Sequence, residues 1–381
     1  MSWAPQRLDQ LGYLSRGRSR HRPRDAAHLY DGPYPFIQTG DVKHAGLYIT
    51  DYQQTYSEAG LEQSRLWPAG TLCITIAANI ADTAILGIDA CFPDSVIGFI
   101  PDTKKADARF VKYLFDATIQ RRVQQFTQGA AQDNLSQEKL LSIEFEVPGV
   151  ADQTRIADVL SAYDDLIENN RRRMVLVEDA ARQLYSEWFV RLRFPGHEHT
   201  RITDGVPEGW GTKSLGELVQ VKKGKNITRA AAEEGMVPVV AGGLEPAYFN
   251  AAANAKGPVV TISASGANAG YVGIYLEDIW ASDCSYISAE WTQHVYYFYC
   301  LLKARQRELF GLQKGAAQPH VYPKDLQRLA VTDPPSRLLQ HFAEAVGPLF
   351  SLIANLAAQS RQLRAARDLL LPRLMSGKLA V

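Results

Sequence analysis

Residues 151–192 read ADQTRIADVLSAYDDLIENNRRRMVLVEDAARQLYSEWFVRL, without a proline or a glycine. Stepping by four and three from Ile156 reaches Leu160, Tyr163, Ile167, Asn170, Met174, Val177, Ala181, Leu184 and Trp188, and only Asn170 is polar. That alternation is the 3.5-residue repeat that keeps one seam of a helix against a partner helix. At 1.5 Å per residue the helix runs for about 60 Å, longer than the core of a small globule. It needs a second helix, with packing on its own domain as the alternative. A lone amide in an apolar seam fixes register at a cost in stability; a solvent-facing Asn170 at a local break in the seam is the other possibility.

The chain on either side of this stretch repeats itself. Trp3, Leu8, Leu11 and Gly17 recur as Trp210, Leu215, Leu218 and Gly224, displaced by 207, and Arg16 and Arg18 flank Gly17 as Lys223 and Lys225 flank Gly224. Tyr34-Pro35-Phe36-Ile37 is matched by Val237-Pro238-Val239-Val240 at 203. Thr75-Ile76-Ala77-Ala78 is matched by Thr261-Ile262-Ser263-Ala264, and Gly129-Ala130-Ala131-Gln132 by Gly315-Ala316-Ala317-Gln318, both at 186. Ala180-Ala181-Arg182-Gln183-Leu184 is matched by Ala365-Ala366-Arg367-Asp368-Leu369 at 185. The unit is a mixed domain followed by a long helix, twice over. The offset falls by 17 between Ile37 and Thr75, so the first copy carries extra residues there, including 44–48 and 56–60.

The expected fold class is α+β: two pseudo-repeated mixed domains joined by two long antiparallel helices that form a coiled coil. The divisions are 1–150, a first domain; 151–193, the central helix; 194–208, a linker; 209–335, a second domain; and 336–381, the C-terminal helix. Residues 70–77 and 257–263 are β-branched, turn-bounded strands. Residues 108–126 and 293–310 read as helices, and 140–147 and 326–331 as returning strands. In the C-terminal helix Phe342, Val346, Leu349, Ile353, Leu356, Leu363, Ala366, Leu370 and Leu374 make the stripe. Proline costs a helix interior about 3 kcal/mol, so a break at Pro348 and a bend before Pro372 are expected.

Lys+Arg and Asp+Glu are balanced at 41 each, so contact with a polyanion must come from local patches. Cys73, Cys91, Cys284 and Cys300 lie far apart, without a C-x-x-C pair, and fit reduced buried thiols. The N-terminus lacks the apolar run of a signal peptide, and no stretch approaches 18 uninterrupted apolar residues. The expected location is the cytoplasm.

Arg16, Arg18, Arg20, Arg22 and Arg24 alternate, and in an extended segment a period of two puts all five on one face. Guanidinium groups there could track a phosphate backbone, or the segment is a solvated basic loop. Lys222, Lys223, Lys225 and Arg229 occupy the same place in the second copy, next to Asn226, and the recurrence favours nucleic acid. Gln38, Thr39, Asn79, Gln132, Asn134, Asn268, Gln318 and His320 offer hydroxyl, amide or imidazole groups in loops that could read base edges or contact phosphates. Asp333-Pro334-Pro335-Ser336 resembles the base-flipping loop of amino-methyltransferases but has Ser336 where an aromatic is needed, so it reads as a link to the C-terminal helix. Residues 265–273 lack dinucleotide-loop spacing and read as a turn between strands. His197 and His199 sit in the linker without further metal ligands. No catalytic constellation stands out.

Several stretches resemble the specificity (S) subunits of type I restriction-modification systems. Tyr34-Pro35-Phe36-Ile37-Gln38-Thr39-Gly40-Asp41 is similar to the opening of their target-recognition domain, as are residues 74–80 and Cys91-Phe92-Pro93-Asp94-Ser95-Val96. Residues 129–136 look like its closing loop, residues 152–160 like the start of the central helix, and Leu371-Pro372-Arg373-Leu374-Met375-Ser376-Gly377-Lys378-Leu379 like the C-terminal signature. In the second copy Ala281-Ser282-Asp283-Cys284 and Pro319-His320-Val321-Tyr322 stand at the corresponding places. The resemblance covers nearly the whole chain. It implies a non-catalytic subunit that recognises a bipartite, asymmetric double-stranded DNA target, one half-site per domain, with the gap set by the helices. It also implies two methyltransferase subunits and restriction (translocase) subunits as partners. Adenine methylation, S-adenosylmethionine, ATP and Mg²⁺ would then belong to those partners, with no cofactor or metal in this chain. A subunit of a type IIB-like or orphan modification system, a methyltransferase in its own right, and a coiled-coil scaffold are the alternatives.

Overall fold

The computed structural model describes residues 2–77, 81–126, 137–315 and 318–381. Its contacts divide the chain into two units, Met1–Arg171 with Ala358–Val381, and Arg172–Ala357. Each long helix contributes to both.

The main sheet of the first unit has the strand order Gly12–Arg16, Val96–Pro101, Leu72–Thr75, Thr83–Leu86, Tyr48–Ile49, antiparallel except for the last pair. Leu72 and Ile74 join the core that holds Phe110, Leu114 and Phe115 of helix Ala108–Phe126, whereas Cys73 joins the core that holds Trp67 and Phe92. A strand covered on both faces reads as an unbroken apolar run. In the second unit the order is Lys222–Lys223, Cys284–Ser288, Val259–Ser263, Val272–Tyr275, all antiparallel, the same order with no fifth strand among the described residues. The helix expected over 293–310 is two, Val295–Ala304 and Gln306–Gly311.

Each domain closes on itself before its long helix begins. Trp3–Gln6 pairs antiparallel with Phe145–Pro148, and Gly211–Ser214 with Ala330–Asp333. Residues 140–141 and 326–327, read from sequence as strand, are the ends of short helices Gln137–Leu141 and Pro323–Gln327 that precede those strands. A short apolar run cannot separate helix from strand by periodicity alone. The linker holds a hairpin of its own, Ile202–Thr203 with Val206–Pro207.

Hydrogen-bond register corrects one internal match. Arg16 pairs with Ile97 and Ile97 with Ile74; Lys223 pairs with Ser285 and Ser285 with Ile262. Ile74 therefore corresponds to Ile262, an offset of 188 rather than 186. A slip of two residues keeps every side chain on its face, so the apolar pattern could not reveal it. The first copy's extra residues contain helices Thr39–His44 and Glu58–Glu62 and strand Tyr48–Ile49.

The central helix is α-helical over Val150–Tyr185 and ends in a π-turn, Ser186–Val190. In the first unit it runs antiparallel to the C-terminal helix: Asp164 pairs with Arg367, and Asn170 Nδ2 donates to Gln359 Oε1 at 3.0 Å. Asn170 is 4% exposed, so its amide lies inside the helix pair. Ile156 and Leu160 pack into the first core with Leu370, and Tyr163 and Ile167 are half-buried. In the second unit Ala181, Tyr185 and Phe189 are buried with Phe342, Val346 and Phe350; Leu184, Leu349 and Ile353 pack beside them. Tyr185 and Phe189 were not in the sequence seam: Tyr185 lies a step of four beyond Ala181 in the regular α-helix, where the seam had taken a step of three to Leu184, and Phe189 lies within the π-turn. Leu356 is buried, and Val177 and Leu363 are half-buried.

The C-terminal helix is unbroken over Ser336–Met375, against the expected interruptions at Pro348 and Pro372. Val346 and Phe350 on either side of Pro348 are buried, as are Leu374 and Met375 beyond Pro372. Burying four such side chains contributes roughly 1.5–3 kcal/mol each and outweighs two prolines. By length and composition alone this helix could cross a membrane; Phe342, Val346 and Phe350 lie in the core of the second unit and Leu374 and Met375 in that of the first.

Two polar groups tie the central helix down. Gln153, 1% exposed, donates from Nε2 to the Lys105 and Pro148 carbonyls at 2.9 Å and accepts from Asp107 N–H at 3.1 Å. Asp164 takes Arg367 and accepts from the Tyr113 hydroxyl at 2.5 Å. Arg367→Met leaves that carboxylate buried without its cation. It is expected to destabilise the first unit by about 3 kcal/mol, measured as a fall in denaturant midpoint; a loss below about 1 kcal/mol would mean the pair acts like an exposed one.

Candidate nucleic-acid interface

The shared glycine is the anchor of the basic segment in both domains. Gly17 N–H donates to the Val96 carbonyl at 2.8 Å and Arg18 N–H to the Phe92 carbonyl at 3.0 Å. In the second domain Gly224 N–H donates to Cys284 at 2.8 Å and Lys225 N–H to Ala281 at 2.9 Å. A Cβ on Gly17 would lie 2.4 Å from the Phe92 and Pro93 oxygens, and one on Gly224 only 2.1 Å from the Ser282 oxygen. Glycine is required because two backbones touch, and its cationic neighbours are carried outward on that contact.

Exposure alternates over the first segment as the sequence predicts, but only so far. Arg16, Arg18 and Arg20 are exposed while Gly17 and Ser19 are buried. After Arg20 the chain turns through a cis Arg22–Pro23 bond. Arg22 donates to the Ser19 and His21 carbonyls at 2.8 Å, and Arg24 pairs with the Asp94 carboxylate at 2.9 Å. One face therefore holds three arginines rather than five. Arg16 Nε donates to the Asp94 carbonyl at 2.9 Å. Among the described residues Arg18 and Arg20 have no ion pair. Lys223, Lys225, Asn226 and Arg229 are exposed in the second domain, and the three cations likewise have no ion pair among the described residues.

The second domain brings further candidates together. Ser265 Oγ donates to the Asp283 carboxylate, Gly266 N–H donates to the Pro319 carbonyl at 3.0 Å, and His320 bridges both Ser265 and Lys314. The loop that carries Asn268 is thus joined to the one that carries Gln318 and His320, beside the residues that anchor Lys225. Gln318 is exposed; Asn268 and His320 are half-buried, and the His320 ring stacks on Tyr322 at 6.0 Å. In the first domain Gln38 is exposed and donates to Gln54 at 2.6 Å, with Thr39 opening a short helix behind it. Asn79, Gln132 and Asn134 lie outside the described residues.

The other candidates have structural roles. Residues 264–271 connect two antiparallel strands. Asp333 pairs with Lys213 at 2.7 Å where the last strand leads to the C-terminal helix. His197 and His199 lie on a 3₁₀ turn, and no metal-binding cluster occurs among the described residues. Burial raises the Cys73 thiol, and it raises Cys91 to about 11 and Cys284 and Cys300 to about 12.

The family described as type I restriction modification DNA specificity domain matches residues 2–178 and 207–362. The chain belongs to this family. It is 26% identical over 408 residues to the type I restriction enzyme MjaIX specificity subunit of Methanocaldococcus jannaschii, covering all of this chain and 94% of that protein. A crystal structure of a type I restriction-modification S subunit from M. genitalium shares the fold, with a TM-score of 0.56 at 18% identity over 98% of this chain and 96% of that one. The function is that of a type I restriction-modification specificity subunit, whose partners are DNA and the modification and restriction subunits of the complex.

The specificity subunit's two glycine contacts make a direct prediction. Gly224→Ala forces the backbones apart and is expected to cost about 1–3 kcal/mol, lowering the thermal midpoint of the second unit, with Gly17→Ala acting likewise on the first.

Proposed function

We propose that this specificity subunit reads a bipartite, asymmetric DNA target, one half-site per domain, and that its two long helices set the gap. The duplicated glycine contact carries the proposal: two domains of the same strand order present basic segments from equivalent backbone positions, over loops that differ in length and chemistry. Equivalent frames suit equivalent backbone contacts, and different loops suit different bases. A mismatched base pair costs roughly 1–3 kcal/mol, so a domain reading a few base pairs discriminates weakly, while two domains at fixed spacing sum their discrimination. The contacts would come from Arg16, Arg18 and Arg20 with Gln38, Thr39, Asn79, Gln132 and Asn134 in the first domain. In the second they would come from Lys223, Lys225, Asn226 and Arg229 with Asn268, Gln318 and His320.

In this reading the chain contributes recognition and not catalysis, in the cytoplasm, and docks two methyltransferase subunits. S-adenosylmethionine, ATP and Mg²⁺ act in the partner chains, where adenine methylation, translocation and cleavage take place.

Replacing residues 1–148 by the corresponding domain of another family member is expected to change one half-site and leave the other and the gap intact, read from the methylated sites; changes in both halves would contradict the one-domain, one-half-site reading. Inserting four helical residues into both long helices in register adds roughly 6 Å, against 3.4 Å per base pair. The gap is expected to widen by one or two base pairs with both half-sites unchanged, and an unaltered gap would remove the helices as the spacer.

A further inference from the structure

Beyond Gly17 the basic segment of the first domain leaves the sheet, yet side chains still hold its backbone. Gln63 Oε1 accepts from Arg20 N–H at 2.6 Å and from His21 N–H at 3.0 Å, and Ser64 Oγ donates to the Arg18 carbonyl at 2.8 Å. The Gln63 Nε2 is buried without a partner among the described residues, so the amide serves through its oxygen. Both residues lie between Ile37 and Thr75, the interval in which the first copy carries extra residues.

The second domain, whose corresponding interval is shorter, secures the equivalent atoms by other means. Trp280 Nε1 donates to the Lys225 carbonyl at 2.8 Å, and Ser282 Oγ accepts from Ile227 N–H at 3.4 Å. Lys225 and Ile227 stand 207 residues after Arg18 and Arg20. Two unrelated sets of side chains converge on the same carbonyl and the same N–H of a segment that lies outside the sheets. Holding an extended backbone in advance removes the ordering cost that a loose loop would meet on binding.

Arg65 follows directly. Its guanidinium lies 4.1 Å from the Trp67 ring and 5.0 Å from the Tyr13 ring and donates to the Tyr13 hydroxyl at 2.9 Å. Among the described residues no carboxylate pairs with it. Hydrogen bonds from Ser15 and Arg65 lower the Tyr13 phenol, with the Arg65 and Arg18 charges acting the same way, which puts Arg65 in the same local field as the basic segment. A stacked guanidinium is preorganised and keeps donors for a bidentate anion.

We infer that Gln63 and Ser64 are positioning residues that hold the first domain's basic segment ready for the DNA backbone, and that Arg65 is a further phosphate contact beside it. The inference rests on the proposed DNA contact of that segment.

The test measures duplex binding by the reconstituted complex against salt, with single mismatches in each half-site. Arg18→Ala and Arg65→Met are each expected to lower the slope of log affinity on log salt by about 0.9, with mismatch preferences intact. Gln63→Met removes the acceptor at similar shape. It is expected to weaken binding roughly three- to tenfold, to leave the salt slope unchanged and to blunt discrimination in one half-site only. Gln63→Glu keeps both acceptor bonds and is expected to restore the mismatch pattern. Loss in both half-sites, or no recovery with Gln63→Glu, would make Gln63 merely structural and overturn the inference. If Arg18→Ala lowers the slope while Gln63→Met and Arg65→Met bind as wild type, the inference alone fails. If Arg18→Ala leaves the slope unchanged, the segment is off the DNA and both readings fall.

Discussion

Each domain is closed by pairing its first strand with its last, and the rest of the structure depends on that closure. Trp3–Gln6 against Phe145–Pro148 and Gly211–Ser214 against Ala330–Asp333 bring the two ends of each domain together just where a long helix starts. A helix launched from a paired strand has a fixed origin, and Gln153, bonded to three backbone groups near that origin, fixes it further. The C-terminal end is secured in the same core: Leu374 and Met375 are buried there, and Gly377, at φ +67°, lets the chain turn where a Cβ would strike the Trp3 indole at 2.7 Å. The ring that recurs in both copies thus meets the helix that ends the chain.

The helix pair is less oily than its seam suggests. Asn170 with Gln359, and Asp164 with Arg367 and Tyr113, place satisfied polar groups among the apolar ones. Apolar contacts tolerate a slide of one turn, but these partners do not, since a slide would strand a buried carboxylate. In a subunit whose proposed output is a spacing, resistance to sliding matters as much as stability.

What the sequence disclosed follows the physics of each signal. Gly17 and Gly224 were legible because a close backbone approach admits only glycine and the charges beside it recur. The strands were legible as runs, but their register was not, since a slip of two residues preserves every inside and outside position. Pro348 misled because propensity is local while the burial of Val346 and Phe350 is tertiary. Gln63 and Trp280 gave no signal: each is an ordinary polar or aromatic residue whose partner lies tens of residues away. The five-arginine alternation held only to Arg20, where the backbone turns.

The central claim is that a duplicated frame reads a divided target. Base-resolution mapping of methylated adenines in cells with and without this chain tests it most directly. The account predicts that the chain directs methylation to two short, different elements separated by a gap of fixed length and free sequence. A single uninterrupted element, or a methylation pattern unchanged by removal of the chain, would contradict it.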